Sequence, residues 1–132
     1  MELPLDHVAL AVPSIESALP TYELLTGGRG SPPENIPGDN VRVAFVGGPA
    51  CRIELVEPTT PESSVARFIA RRGPGLHHIA FRVANLDEAL RKLVVSGVEL
   101  VDRTPRVGSH GRRVAFIHPR STHGVLVELI EP

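Results

Sequence analysis

The chain contains one pattern twice, and that repetition restricts its fold more than any other feature. DHVALAVPSIESAL at 6–19 returns as HHIAFRVANLDEAL at 77–90. RVAFV at 42–46 returns as RVAFI at 113–117, and IELVEP at 53–58 as VELIEP at 127–132. His7 therefore matches His78, and Glu54 matches Glu128. Alternation of core residues would make two halves alike in their apolar positions. It would not place His on His and Glu on Glu. Each half is too short to bury much apolar surface alone. The expectation is a single domain of two modules, 1–58 and 76–132, joined by a helical linker at 59–75.

Each copy opens on a strand. In 6–12 the bulky Val8, Leu10 and Val12 alternate with His7, Ala9 and Ala11, a period of two. The bulky face should pack on a helix, and the His–Ala–Ala face should leave room for a cavity. His78, Ala80 and Arg82 repeat that face opposite Ile79, Phe81 and Val83. A helix follows each strand. One starts at Ser14 and runs to Gly27-Gly28, with Pro20 expected to kink or shorten it. The other has Asn85 as N-cap, Glu88 completing a capping box, Leu86, Leu90 and Leu93 on one face, and Gly97 as the stop. Extended segments are expected near 29–36, 41–47 and 51–57, and again near 99–104, 112–118 and 124–131. The turns between them are rich in Gly and Pro. Each half thus reads βαβββ, an α+β fold. In the linker, Thr60 as N-cap and Pro61 at the first helical position predict a short helix. Its apolar stripe is Val65, Phe68 and Ile69, and it ends at Gly73-Pro74.

Composition narrows the function classes. A net charge of −1 gives no basic field for nucleic acid. The single cysteine, Cys51, excludes an internal disulfide and suits a reducing compartment. MELPLDH has neither the basic nor the apolar region of a secretion signal. No apolar run approaches the roughly 20 residues of a membrane span. A cytoplasmic location is expected.

Glu54 and Glu128 lie inside apolar runs, where an ionised carboxylate is costly without a partner. One divalent cation would satisfy both carboxylates together with His7 and His78. A set of two nitrogen and two oxygen ligands, with no sulfur, suits a catalytic ion with open positions rather than a structural zinc. Cobalt, nickel, manganese and zinc are the ions that such a set suits. Glu57 and Glu131 also repeat, but at strand ends, and read as solvated. His77 must point away from His78. His110, His118 and His123 fall in loops without counterparts in the first half, and Cys51 reads as structural.

LDHVALAV, IELVEPTTPESSVARFIARRG, GLHHIAFRV and GRRVAFIHPRSTHGVLVELIE together cover most of the chain. In them it resembles the methylmalonyl-CoA epimerases of the vicinal oxygen chelate superfamily. The resemblance implies two side-by-side modules whose sheets curl around a cleft, with His7, Glu54, His78 and Glu128 as metal ligands. It implies interconversion of (2R)- and (2S)-methylmalonyl-CoA through an enolate stabilised by the metal, in a homodimer. Glu128 would double as one proton-transfer group. Some relatives place a second catalytic glutamate where this chain has Val43, so the second group falls to Glu54, a cleft histidine or a metal-bound water. Arg71, Arg72, Arg112 and Arg113 are candidates for the phosphates of CoA. Two other readings use the same scaffold: an isomerase of glutathione hemithioacetals of the glyoxalase I type, and a non-catalytic small-molecule-binding module.

Overall fold

A computed structural model describes residues 1–132. In chain order the elements are β1 (Leu5–Ala11), α1 (Ile15–Thr26), β2 (Glu34–Ile36), β3 (Val41–Val46), β4 (Ile53–Pro58), α2 (Ser64–Arg72), β5 (Gly75–Arg82), α3 (Leu86–Val95), β6 (Arg106–Val107), β7 (Arg113–Ile117) and β8 (Leu126–Ile130). The chain divides into two compact units, His7–His77 and Met1–Asp6 with His78–Pro132. Strands of the first unit lie in the order β2-β3-β4-β1, and those of the second in the order β5-β8-β7-β6. β1 is parallel to β4 and β5 to β8, while the remaining pairs within each unit are antiparallel. Both copies are therefore βαβββ, as the repeat predicts. None of the helices is long and apolar enough to cross a membrane.

The helix ends follow their capping chemistry. Ser14 Oγ accepts from the Ser17 N–H at 3.2 Å, and Asn85 Oδ1 from the Glu88 N–H at 3.1 Å. Pro20 does not interrupt α1, which runs unbroken through it. Pro20 lies on the exposed side, where the Glu16 carbonyl that loses its partner can turn to water. The linker helix begins later than Thr60 suggests. Thr60 to Ser63 form a turn closed by the Ser63 N–H on the Thr60 carbonyl, with Pro61 at its second position. Ser63, almost wholly buried, is the N-cap, its Oγ accepting from the Val65 N–H. The extended segments are also shorter than expected. Pro32 and Pro33 lack N–H donors, so β2 starts only at Glu34. The 99–104 stretch gives a single bridge, Leu100 to Ile117, and β6 forms the edge instead.

In the first unit, Leu10 packs with Val12, Ile15 and Leu55 beneath Ala18, Leu19 and Tyr22 of α1. The small-residue face is only partly open. Ala9 and Ala11 are covered in a cluster with Val43, Phe45 and Val56, completed by Val65, Phe68 and Ile69 from α2. The apolar stripe of the linker thus fills much of the space that the alanines leave.

Glu57 and Glu131 are not solvated ends. Glu57 Oε1 accepts from the Ile15 N–H at 2.8 Å, and Glu131 Oε2 from the Leu86 N–H at 2.8 Å. Each carboxylate sits at the N-terminus of the helix belonging to its own copy, where the helix dipole favours negative charge. Arg42 joins Glu57 and Glu16, and Arg113 joins Glu131 and Asp87. The last strand of each copy is thereby latched to its first helix.

Candidate functional site

Strand parity gathers the repeated polar residues on one face of each unit. In the first unit, Glu54 of β4 is in register with Ala9 of β1 and with Phe45 of β3. Residues in register share a face, so His7, two positions before Ala9, lies on it too. His7 is 2% exposed and Glu54 6%. His7 Nε2 lies 3.3 Å from Glu54 Oε1. The Phe45 ring meets the imidazole edge-on at 5.4 Å, and the Arg52 guanidinium stacks 4.3 Å over the same ring.

The second unit repeats the arrangement. Glu128 of β8 is in register with Ala80 of β5 and Phe116 of β7. His78 Nε2 lies 3.4 Å from Glu128 Oε1, with both residues buried. Phe116 meets the His78 ring edge-on at 5.3 Å, and Arg106 sits 5.2 Å over Phe116. Each carboxylate inside its apolar strand is thus held against an imidazole nitrogen, in surroundings where charge is poorly screened. Each imidazole is walled by a phenylalanine, which fixes its orientation. All four polar residues singled out by the repeat therefore occur as two matched pairs.

Phe45 and Phe116 belong to this framework, although sequence reasoning gave them no role. The signal was available, since both stand in the repeated RVAF. Arg52 and Arg106 carried no such signal, because they reach the two phenylalanines from non-equivalent positions. Val43 is buried in the apolar cluster and can transfer no proton. His77 packs edge-on against Phe68 of α2. His118 caps the turn Pro119–Ser121, its Nδ1 accepting from the Arg120 N–H at 3.0 Å. Cys51 is exposed in the turn between β3 and β4. Arg71 and Arg72 lie exposed in the last turn of α2.

Residues 6–116 match the family described as glyoxalase/bleomycin resistance protein/dioxygenase superfamily. An uncharacterised protein of Bacillus subtilis is 45% identical over 97% of this chain and 91% of its own length. The mitochondrial methylmalonyl-CoA epimerase of Dictyostelium discoideum is 37% identical over 96% of this chain and 77% of its own. A solved methylmalonyl-CoA epimerase in complex with methylmalonyl-CoA and NH4+ superimposes with a TM-score of 0.91 at 32% identity, covering 99% of this chain and 95% of that one. The chain belongs to the glyoxalase/bleomycin resistance protein/dioxygenase superfamily and, within it, to the methylmalonyl-CoA epimerases.

Proposed function

We infer that this chain is an epimerase that interconverts the (2R) and (2S) forms of methylmalonyl-CoA. The observation that carries the reading is the pair of buried His–Glu contacts, one in each copy, in a chain similar over nearly its whole length to an epimerase solved with that substrate.

The donor chemistry fits a divalent cation. Two imidazole nitrogens and two carboxylates, buried and without sulfur, form a set suited to a borderline ion such as cobalt, nickel, manganese or zinc. His7, Glu54, His78 and Glu128 are the residues that would hold it. When bound, such an ion supplies positive charge where an enolate oxygen develops.

The remaining work falls to the chain. The proton to be moved lies on the carbon between a thioester and a carboxylate. Epimerisation removes it from one face and returns a proton to the other, which two acid–base groups on opposite sides accomplish. Glu128 takes one side. With Val43 in the place of a second glutamate, Glu54 takes the other. Phe45 and Phe116 hold the imidazoles and keep water from the carboxylates, so that their basicity is not spent on solvent. Cytoplasmic placement and a homodimeric state complete the proposal.

The test is deuterium wash-in at the α-carbon of methylmalonyl-CoA in heavy water, followed by NMR. The reading predicts exchange that a chelator abolishes and added divalent metal restores. Absence of exchange from metal-loaded protein would reject it.

A further inference from the structure

The repeat holds one more matched pair of polar residues, away from the imidazoles and their carboxylates. Phe45 and Phe116, which wall the two histidines, are each gripped at the backbone by a residue 14 positions earlier. In the first copy that residue is Ser31. Its N–H donates to the Phe45 carbonyl at 2.7 Å, and its Oγ accepts from the Phe45 N–H at 2.9 Å. In the second copy it is Asp102. Its N–H donates to the Phe116 carbonyl at 3.2 Å, and its Oδ2 accepts from the Phe116 N–H at 2.9 Å. Neither Ser31 nor Asp102 lies in a strand. A side-chain oxygen therefore supplies, in each copy, the ladder bond that a strand would have given.

The places are equivalent and the chemistry is not. A carboxylate has a second oxygen, and Asp102 Oδ1 takes the Arg106 Nε at 3.1 Å. Arg106 is the cation that lies over the Phe116 ring. Asp102 thus sets both the peptide of Phe116 and the guanidinium on its face. In the first copy the cation over Phe45 is Arg52, at the entry to β4, and Ser31 carries no charge with which to hold it. The Asp102 side chain is 16% exposed, so water replaces its bonds poorly. Phe116 passes this constraint on. It meets the His78 ring edge-on and stands in register with Glu128. An edge-on contact orients an imidazole only while the phenyl ring is itself fixed.

We propose that Asp102 is a positioning residue for the reaction, acting through Phe116 to hold His78 and Glu128 in the arrangement that proton transfer needs. The proposal rests on the epimerase reading. Asp102 touches neither member of the pair. Its effect is on their geometry, where a displacement of a fraction of an ångström costs rate and leaves substrate affinity nearly intact.

The test uses the full chain as parent, Asp102→Ala, Asp102→Ser and Ser31→Ala. Wash-in rates on methylmalonyl-CoA are divided by the folded fraction of each protein. Asp102→Ala should lower kcat about 10-fold or more with KM changed by less than about threefold. Asp102→Ser installs the residue of the first copy. It restores an acceptor for the Phe116 N–H without the hold on Arg106, and should recover part of the rate. The second readout is independent of activity. In long-range 1H–15N spectra of chelator-treated protein, Asp102→Ala should shift the His78 ring signals and leave those of His7 in place, and Ser31→Ala should do the reverse. An unchanged kcat in Asp102→Ala overturns the proposal. So does a lower kcat with the His78 signals in place, or with both histidines displaced alike, which would make Asp102 a part of the general framework. Absence of exchange by the parent protein rejects the epimerase reading instead, and the spectra alone then decide whether Asp102 positions His78.

Discussion

Replacing Gly47 by alanine should be the most damaging single-methyl change in the turn that feeds Glu54 into the site. Gly47 closes β3 with a φ of +96°, a conformation that L side chains rarely adopt. A Cβ there would lie 1.9 Å from the carbonyl oxygen of Cys51, a backbone atom that no rotamer change can move. The left-handed backbone costs about 1–2 kcal/mol for a residue with a side chain. Relieving the overlap means shifting the 48–51 turn and loosening its Cys51 N–H to Gly48 carbonyl bond, worth about 0.5–1.5 kcal/mol. Distortion of the Val46–Ile53 pair adds to this. The first two costs alone come to roughly 1.5–3.5 kcal/mol, a large part of the about 5–15 kcal/mol that holds a domain of this size together. Gly48, the next residue, supplies the control. Nothing lies within 4 Å of a Cβ at Gly48 and its φ is not positive, so Gly48→Ala should stay within about 1 kcal/mol of the parent. Urea denaturation at a common m-value reads both. A Gly47→Ala variant within 1 kcal/mol of the parent, or equal losses at the two glycines, would refute the reasoning.

Four further outcomes are expected. Glu57→Gln keeps an acceptor for the Ile15 N–H but removes the charge at the helix N-terminus, and should lower the urea midpoint; an unchanged midpoint would mean that the latch carries no stability. His7→Gln and His78→Gln should each weaken cobalt binding by about 10-fold or more in calorimetric titration, and to a similar degree, because the two pairs are equivalent. Glu128→Gln should abolish α-proton exchange while leaving the unfolding free energy read in urea within about 1 kcal/mol of the parent; retained exchange would transfer its role elsewhere. The hydrogen bond from Arg42 holds the Glu16 carboxyl below its ordinary value of 4.5. A depressed folded-state value gives stability that is present above 4.5 and lost as pH falls through the folded value. Arg42→Met should therefore flatten the stability profile below pH 4.5, and an unchanged acid limb would dismiss the pair.

What the sequence could disclose depended on how local each determinant was. His7, Glu54, His78 and Glu128 were legible because a polar residue repeated inside an apolar strand has few structural explanations. Ser14 and Asn85 were legible because a cap bonds a residue three positions away. Glu57 and Glu131 were not. A glutamate before proline at a strand end looks the same whether it faces water or a helix N-terminus, and the deciding N–H groups of Ile15 and Leu86 lie 42 and 45 residues distant. The start of α2 was misjudged because Thr60 and Ser63 are both competent caps, and the turn built on Pro61 chooses the second. The stacking of Arg52 on Phe45 and of Arg106 on Phe116 is a convergence in space with no shared spacing to reveal it.

The carboxylate latches have a consequence for how such a chain can change over generations. Because each copy fastens its own last strand to its own first helix with its own arginine, neither depends on the other to keep its strands in order. Substitutions can then accumulate in one copy without unpicking the other. Arg112 at the position equivalent to Val41, and Arg82 at the one equivalent to Ala11, are what that independence permits: a doubled framework whose two faces have become chemically unequal.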